Sequence, residues 1–542
     1  MSGQPLAVYI SPGLAPWLDD FPAEVVALHP DPGIYDLPEA LAERGLTPDL
    51  IIQDEALISR TLLKGLETFD CPKVFWSLDP HLNHYWQAPY CALFDAVAVT
   101  QKDWIKPLSA AGAGRVEWIT WFAECVPWVP FAARANQSAF VGRITGFRPV
   151  RKFFVEYLSG RFPLRVETDV PYDQVQAVYA DARIAPDESI QGEITERLFK
   201  AAGAGCLVLE PKSGNSLEEL FEPGLEVLVY GDALELAEIM ERFAGQPGEA
   251  ERLGRAARER VAREHLPVHR LQALGRLALE SPAAAPRGAA GGHLFWLAAA
   301  RCLESGHLAA PPGQVIQGLA AYQENPDCLT AILRLLAMGG QVREALEVAM
   351  RYASAGFAHS DPGFMTCVCA LALRLDEFPL AVRLYQAFIQ ASGDPVHQVP
   401  GPAQLYSALA QSLARRDMRQ RPGFPFDMAV HLPATASEMY SMSLSLDPDN
   451  QSVLRKAESL LRDLPGNETL RLGLLSELSL RSGEDYRLGL ALGLADLRTY
   501  RARQGLEELR LARKQARSRG RVQSFLRLLA DQDPRGLIRA AL

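Results

Sequence analysis

Three polar side chains, Asp79, His81 and His84, lie close together just after an apolar run of β-strand length. A carboxylate or an imidazole can act as a general base toward a hydroxyl group, or hold that hydroxyl by a hydrogen bond. The spacing of His81 and His84 also suits two ligands of a metal ion, but no third ligand cluster accompanies them, so no metal is expected. We predict a catalytic or hydroxyl-binding role for the three residues. Surface histidines beside a proline turn are the alternative.

A second candidate site is the pair Gly142-Arg143, which follows another apolar run and has Arg148 close behind it. Backbone N–H groups at a glycine-containing turn between a strand and a helix bind phosphate, and an arginine fork binds the same oxygens in pairs. The three residues therefore predict a pyrophosphate-binding turn. The alternative is an ordinary turn with a solvated arginine.

Both candidate sites need strands that end beside them, and the first half of the chain contains short runs rich in apolar, β-branched and aromatic residues. The first set of predicted strands is Leu6–Ile10, Asp49–Gln53, Val74–Leu78, Ala96–Thr100 and Val116–Trp121. Helix-like segments, among them Leu37–Arg44 and Ser59–Thr68, lie between these runs. Strands that alternate with helices predict a parallel sheet with helices on both faces.

A polar break at residues 135–138 precedes a second set of runs with the same rhythm. Its predicted strands are Ala139–Ile144, Leu164–Thr168, Ala182–Ala185, Cys206–Leu209 and Val227–Tyr230. Two successive α/β units of similar size are therefore predicted. A ligand is expected in the cleft between such units, outside the carboxyl ends of the strands.

The rest of the chain is predicted to be all-α. A charged helical run at 249–280 leads into residues 281–292, whose proline, alanine and glycine content is typical of a linker. The predicted domains are residues 1–135, 136–280 and 294–542, with a linker at 281–293.

Part of the helical region has the residue spacing of a tetratricopeptide repeat. The matching positions are Ala436, Tyr440, Ser443 and Pro448, less closely Ala381, Tyr385, Phe388 and Pro395, and more weakly Ala345 after Gly340. This spacing predicts a helical solenoid, with an irregular helical bundle as the alternative. Stacked helix pairs offer a concave surface for a peptide or a protein.

Four segments of the second α/β unit carry a family resemblance. They are FVGR at 140–143, VQAVYADARI at 175–184, GEITERLFKAAGAG at 192–205 and LEELFEPGLEV at 217–227. In this order they resemble the donor-binding domain of CgeB-type proteins, relatives of the group-1 glycosyltransferases. The resemblance implies a GT-B fold with an N-terminal Rossmann-like lobe on the acceptor side and a second Rossmann-like lobe that binds a nucleotide sugar. It implies no metal and no cofactor beyond that substrate.

The resemblance also implies that polar groups near the start of the helix within 192–205 contact hydroxyls of the donor's sugar and ribose. The donor-binding candidates there are Glu193, Thr195, Glu196, Arg197 and Lys200. Lys200 stands where the family has a glutamate, and Thr195 stands where it has an asparagine. A glutamate at a helix N-terminus is also a common capping residue, which is the alternative for Glu193 and Glu196.

Composition narrows the class of protein. The chain is 48% hydrophobic with a formal net charge of −10, which excludes a disordered chain and a generic nucleic-acid binder. Its eight cysteines form no C-x-x-C pair and are predicted to be reduced core thiols.

Residues 1–135 hold 17 acidic against 8 basic side chains, so an acidic acceptor lobe would face a donor lobe that carries Arg143, Arg148, Arg151 and Lys152. This polarity would steer an anionic donor toward the basic lobe.

We predict a cytoplasmic glycosyltransferase whose helical repeats recruit a protein acceptor or partner. The sequence shows no leader pattern and no run long enough to span a membrane.

The basic stretch 501–542, with 11 Lys/Arg against 4 Asp/Glu, is predicted to be a solvated face; contact with nucleic acid or an acidic partner is the alternative. Lys200 motivates a second hypothesis, a catalytically inactive adaptor that works through its repeats in protein–protein interaction.

Overall fold

The computed structural model describes residues 4–57, 60–146, 148–283, 289–462, 464–483 and 485–542. The chain divides into two compact units, each built from two stretches. Unit 1 comprises Met1–Thr120 and Leu271–Val453, and unit 2 comprises Trp121–Arg270 and Leu454–Leu542. The helical half of the sequence is therefore shared between the units. The domain boundaries at residues 135, 280 and 293 stay a prediction.

The described residues form strands and helices in the following order. Through residue 120 they are β1 (Leu6–Ile10), β2 (Glu24–Leu28), β3 (Gly33–Asp36), α1 (Leu37–Glu43), β4 (Leu50–Asp54), β5 (Thr61–Lys64), β6 (Lys73–Ser77), α2 (Pro80–Cys91), β7 (Ala96–Val99), α3 (Ile105–Ala110) and β8 (Arg115–Trp118). From 121 to 283 they are β9 (Asn136–Val141), α4 (Pro149–Ser159), β10 (Leu164–Glu167), α5 (Val175–Ala180), β11 (Ala182–Pro186), α6 (Glu196–Gly203), β12 (Leu207–Pro211), α7 (Leu217–Leu220), β13 (Val227–Tyr230), α8 (Ala233–Ala244), α9 (Pro247–Glu264) and α10 (Pro267–Glu280). From 289 onward they are α11 (Ala289–Glu304), α12 (Pro312–Ala320), α13 (Pro326–Met338), α14 (Val342–Ser354), α15 (Pro362–Arg374), α16 (Phe378–Ser392), α17 (Pro402–Arg415), α18 (Ala436–Leu446), α19 (Gln451–Leu461), α20 (Glu468–Ser482), α21 (Tyr486–Arg498), α22 (Ala502–Ser518), α23 (Val522–Ala530) and α24 (Leu537–Ala541).

Unit 1 contains a six-stranded parallel sheet in the order β2-β1-β4-β6-β7-β8. Its central strands are buried on both faces, as a parallel sheet covered by helices requires; Val8, opposite Val26 and Ile51, is fully buried. The five predicted strands correspond to β1, β4, β6, β7 and β8. The prediction of a helix at 59–68 is wrong, because Thr61–Lys64 forms β5, which pairs with β3 in a separate two-stranded sheet. Ser59 lies outside the described residues.

Unit 2 contains a five-stranded parallel sheet in the order β10-β9-β11-β12-β13. All five predicted strands of the second set are present. The polar break predicted at 135–138 is wrong, because β9 begins at Asn136 and the surrounding chain satisfies its polar groups. The Asn136 side-chain amide donates to Asp181 Oδ2 at 2.9 Å, and the Ser138 hydroxyl donates to the Pro163 carbonyl at 2.8 Å. Two Rossmann-like sheets followed by an all-helical region confirm the predicted fold class.

The helices of unit 1 after residue 289 pack in consecutive pairs, α13 on α14, α15 on α16 and α17 on α18. The positions with repeat-like spacing form the buried faces of α14, α16 and α18; these buried residues are Ala345, Ala381, Tyr385, Phe388, Ala436, Tyr440 and Ser443. The tetratricopeptide assignment itself stays a prediction. Residues 289–293 of the predicted linker belong to α11, and 284–288 lie outside the described residues. No helix in the described ranges is long and apolar enough to cross a membrane.

The long connection between α17 and α18 packs against α2, the helix that begins beside Asp79. The Phe424 ring lies edge-on to Tyr85 of α2 at 5.4 Å, and the Arg421 guanidinium stacks on Phe424 at 3.5 Å. Gly423 has a left-handed backbone with φ of +74°, and a Cβ at this position would overlap the Leu82 backbone. Only glycine allows this close approach without moving α2 or the connection.

Gly423→Ala is therefore expected to lower the free energy of unfolding by about 2 to 4 kcal/mol, from the left-handed backbone and the overlap together. Gly340→Ala is the matched control, because Gly340 in the same unit has φ of +82° but open space around it. In the control variant the free energy of unfolding should fall by only about 1 kcal/mol. Urea unfolding of the two variants makes the comparison, and equal losses would show that the contact with α2 contributes nothing.

Candidate functional site

Most of the predicted donor-binding residues lie at the carboxyl edge of the unit 2 sheet, among them Gly142, which follows β9. The same edge also holds acidic residues that were not predicted: the pair Asp187-Glu188 follows β11, and Glu210 lies near the end of β12. In a parallel α/β sheet this edge is where ligands bind, since strand ends and helix N-termini meet there.

Gly142 and Arg143 form the turn after β9, and they differ in how accessible they are. The Gly142 N–H donates to the Glu167 carbonyl at 3.0 Å, so this amide serves the sheet and not a ligand. The Arg143 side chain is 66% exposed, and its Nε lies 3.4 Å from a carboxylate oxygen of the equally exposed Asp169. Such a surface pair is weak, so the guanidinium can exchange it for a phosphate at little cost.

Arg148 immediately precedes α4 and is half-buried. Within the part of the chain that the structure describes, its guanidinium makes no hydrogen bond and no ion pair. Burial first, and the positive charge of Arg151 second, lower the pKa of Arg148. The Glu193 and Glu188 carboxylates oppose this shift, but neither pairs directly with Arg148 among the described residues, so its guanidinium can still bind an anion.

Two buried ion pairs lie under this edge. The Arg151 guanidinium, 1% exposed, donates to Glu188 Oε2 at 2.7 Å, and Arg197 donates to Asp187 Oδ1 at 2.6 Å. The Thr195 hydroxyl, which caps the N-terminus of α6, donates to the other Asp187 oxygen. Burial alone lowers the pKa of Arg197, and the Asp187 carboxylate raises it above its usual value. Arg151 and Arg197 are therefore neutralised within the protein and position its loops.

Glu210 adds a third buried carboxyl group to this network. Its Oε1 is buried and has no hydrogen-bond partner among the described residues. Burial, reinforced by the negative charge of Asp187, raises the pKa of Glu210 well above its usual value. Tyr230 donates to the Asp187 carbonyl, and its hydroxyl lies 2.7 Å from the hydroxyl of Tyr500. Sequence reasoning missed Asp187, Glu188, Glu210 and both tyrosines, since none belongs to a motif.

The start of α6 holds the remaining donor-binding candidates. The Lys200 ammonium lies 3.4 Å from Glu196, 3.3 Å from the Tyr172 carbonyl and 3.1 Å above the Tyr172 ring centre. Burial lowers the pKa of Lys200, and Glu196 opposes that effect. Glu196 also accepts the Tyr172 hydroxyl, so these side chains are occupied with one another. Glu193 Oε1 accepts the Ile190 N–H at 3.3 Å.

The three candidates in unit 1 lie at the carboxyl edge of the other sheet, around α2. Glu55, just after β4 and 4% exposed, accepts the N–H groups of Leu78 and Asp79 at 2.8 and 2.9 Å. Its second oxygen accepts the side-chain amide of Asn83 at 2.7 Å. Glu55 therefore satisfies backbone donors at the start of α2 and holds Asp79 in place. Its isolated position in the sequence carried no signal for this role.

The histidines are not surface residues. His81 is 1% exposed, and half-buried His84 packs against Trp104 with its ring centre 5.0 Å away. Burial lowers the pKa of His84, so its imidazole is held neutral. Asp79 is half-buried, as is His84, whereas His81 is buried.

Comparison with known proteins identifies the class of the second α/β unit. Residues 132–276 match the family model described as glycosyl transferase-like, which indicates a glycosyltransferase-like domain over less than half of the chain. No curated protein matches the chain.

Among solved structures, similarity extends to several glycosyltransferases at low identity. HepE of Anabaena with UDP and glucose is 11% identical over 50% of this chain and 98% of its own, with a TM-score of 0.34. A glycosyltransferase of Rickettsia africae is 11% identical over 51% and 99%, with a TM-score of 0.38. The pneumococcal O-GlcNAc transferase GtfA with UDP and GlcNAc is 11% identical over 45% and 59%, with a TM-score of 0.32. Scores this low carry no argument about activity.

One buried carboxyl group in unit 1 predicts a pH dependence of stability. Asp54 accepts the Tyr9 hydroxyl and the Gly13 N–H, each at 2.7 Å. Burial raises the pKa of Asp54 to about 7, although these two hydrogen bonds oppose the shift. The folded chain therefore holds a proton that the unfolded chain, with an aspartate pKa of about 3.9, has already released.

From this difference, the free energy of unfolding should fall as the pH rises from about 4 to 7, by up to about 1.4 kcal/mol per pH unit from Asp54 alone. Asp54→Asn removes the titration, so the difference in urea midpoint between variant and wild type should shift in favour of the variant across this interval. A difference that stays constant with pH would contradict the raised pKa.

Proposed function

We propose that the protein transfers a sugar from a nucleotide-sugar donor to an acceptor. The observation that carries the proposal is the glycosyl transferase-like match at 132–276, which spans the sheet whose carboxyl edge presents exposed Arg143 and uncompensated Arg148. The CgeB-type resemblance of the same segment agrees with this assignment.

Arg143 and Arg148 are proposed to bind the diphosphate of the donor. Guanidinium groups match phosphate oxygens in pairs, and they stabilise the charge that develops on a departing nucleoside diphosphate. Because Gly142 gives its N–H to the sheet, binding relies on these side chains. The arginines supply the positive charge that the leaving group needs, so the proposal requires no metal and no cofactor.

The donor's hydroxyls are assigned to Glu193 near the start of α6, because a carboxylate can accept two hydroxyl hydrogen bonds at once. Glu196 and Lys200 engage each other and Tyr172, and Arg197 is paired with Asp187, so these three hold the loop in place. On the acceptor side, Asp79 is the proposed base, because Glu55 orients its backbone while His84 is packed against Trp104.

The acceptor or partner is proposed to be a protein held by the helical region of unit 1. The buried alanine and tyrosine positions of α14, α16 and α18 support tetratricopeptide-like stacking, which would offer a concave surface for recognition. We place this activity in the cytoplasm. Protein glycosylation is then the most specific description of the function.

A second candidate is an inactive adaptor with the same fold, and the surroundings of Lys200 favour it. The position where the resembling family has a ribose-binding glutamate holds a buried lysine bound to Glu196 and Tyr172. An adaptor would keep the α/β units as a scaffold and act only through its helices.

Turnover of a panel of UDP-, GDP-, CMP- and TDP-sugars, followed by released nucleotide, tests the enzyme proposal. Arg148→Ala and Arg143→Ala are each expected to lower kcat/KM by about 10- to 100-fold, the loss expected for one charge-assisted contact to phosphate. Arg252→Ala is the matched control: Arg252 is exposed, and its neighbour Gly254 packs on the Gly205 backbone before β12, at the opposite edge of the sheet. Equal losses in all three variants would contradict the proposed site.

The adaptor predicts a different outcome. Neither turnover nor a thermal shift should occur with any nucleotide sugar, and Arg148→Ala should leave partner binding unchanged. Tyr385→Ala and Tyr440→Ala, which empty buried positions in α16 and α18, should abolish partner capture and cost about 3 kcal/mol or more in stability. Release of nucleotide from any of these sugars by the wild-type chain would exclude the inactive adaptor.

A further inference from the structure

The end of α22 and the turn into α23 carry a dense group of positive side chains. We call this group the basic patch; its residues are Arg510, Arg513, Lys514, Arg517, Arg519 and Arg521, all exposed. No acidic residue occurs from 509 to 530. Arg510, Lys514 and Arg517 follow the i, i+4, i+7 spacing that places side chains on one face of a helix.

Three cations of this patch have no carboxylate partner in the part of the chain that the structure describes. Among the described residues, Arg513, Lys514 and Arg517 make no ion pair. Arg510 donates only to the Ala541 carbonyl, at 2.7 Å. Arginines elsewhere in the same helical stretch are paired, as in Arg503 with Glu507 at 3.0 Å. Unneutralised positive charge is therefore concentrated in the C-terminal half of α22.

The opposite face of α22 anchors the helix in unit 2. Leu509, Ala512 and Ala516 are fully buried and belong to the core that also contains Phe154 and Tyr230. A helix fixed in this way presents its cations on an already ordered backbone, so only the side chains lose freedom on binding. The buried apolar face is already used, so the patch binds mainly through its charged side chains.

Anionic lipid headgroups fit these features best. Arginine forks match phosphate oxygens, and clusters of four to eight Lys/Arg are attracted to anionic membrane surfaces. Leu511, 48% exposed, lies among the cations and can enter the interfacial layer. Single-stranded nucleic acid usually stacks on aromatic side chains, and Phe525, the only aromatic residue from 501 to 542, is fully buried.

We propose that the basic patch docks the protein on an anionic phospholipid surface by electrostatic attraction. The docking is peripheral and reversible, and it does not depend on the sugar-transfer activity. It replaces the solvated face predicted for residues 501–542 with a specific binding surface.

Co-sedimentation of the full chain with vesicles tests the proposal. We expect binding to phosphatidylcholine vesicles that contain about one third phosphatidylserine, no binding to pure phosphatidylcholine, and release at about 0.5 M salt. Replacing Arg513, Lys514, Arg517 and Arg521 with glutamine should lower the partition constant by about 100- to 1,000-fold. The variant Arg513→Lys, Arg517→Lys, Arg521→Lys keeps the charge and should bind within about 5-fold of wild type.

A matched control removes four exposed positive charges elsewhere, by replacing Arg161, Arg252, Arg263 and Arg343 with glutamine. It should lose much less binding than the patch variant. The proposal is overturned if the wild-type protein does not bind anionic vesicles or binds neutral vesicles equally well. It is also overturned if the two glutamine variants lose the same amount of vesicle affinity. Retention on RNA or on an acidic polypeptide, without vesicle binding, would assign the patch to a different partner.

Discussion

The pairing of buried arginines with buried carboxylates is the constraint around which unit 2 is arranged. A carboxylate removed from water is tolerated only when a cation or several hydrogen bonds compensate it. Asp187 and Glu188 follow β11, so α6 and α4 must lie where Arg197 and Arg151 reach them. Once those two guanidiniums are paired, half-buried Arg148 beside them has no direct ion pair among the residues that the structure describes. The same network that stabilises the loops therefore decides which arginine is available to an anionic ligand.

The C-terminal helices are part of this arrangement. Tyr500, between α21 and α22, packs against Phe154 of α4 at 4.9 Å, and its hydroxyl meets that of Tyr230 at the end of β13. Tyr230 in turn donates to the Asp187 carbonyl. Helices more than two hundred residues away in sequence thus complete the core under the donor edge. A truncation before α21 would remove part of the proposed donor site's support along with the basic patch.

In unit 1 a buried carboxylate is also compensated by hydrogen-bond donors, but the residues involved are different. An acidic residue beyond a central strand, Glu55, accepts backbone N–H groups at the start of α2, as Asp187 accepts the hydroxyl that caps α6. In both units a strand end thereby fixes the beginning of a helix next to candidate site residues. The α17–α18 connection adds a second restraint on α2 through Phe424 and Gly423. Helices that are distant in sequence therefore support the candidate site in each unit.

The amino-acid sequence by itself determined the two parallel sheets, because strand-length apolar runs alternating with helical segments leave few other ways to bury both faces. It also placed Asp79 directly after such a run, whereas the predicted strand Ala139–Ile144 included Gly142 and Arg143, which the structure places in the turn after β9. Short strands such as β5 escaped prediction, since pairing with β3 and burial override a helix-like local pattern. Only the tertiary structure decided that Arg151 and Arg197 are paired while Arg148 is not. Charge compensation depends on which side chains the fold brings within hydrogen-bond distance. The sequence positions of Asp187 and Glu188 do not indicate which arginines will pair with them.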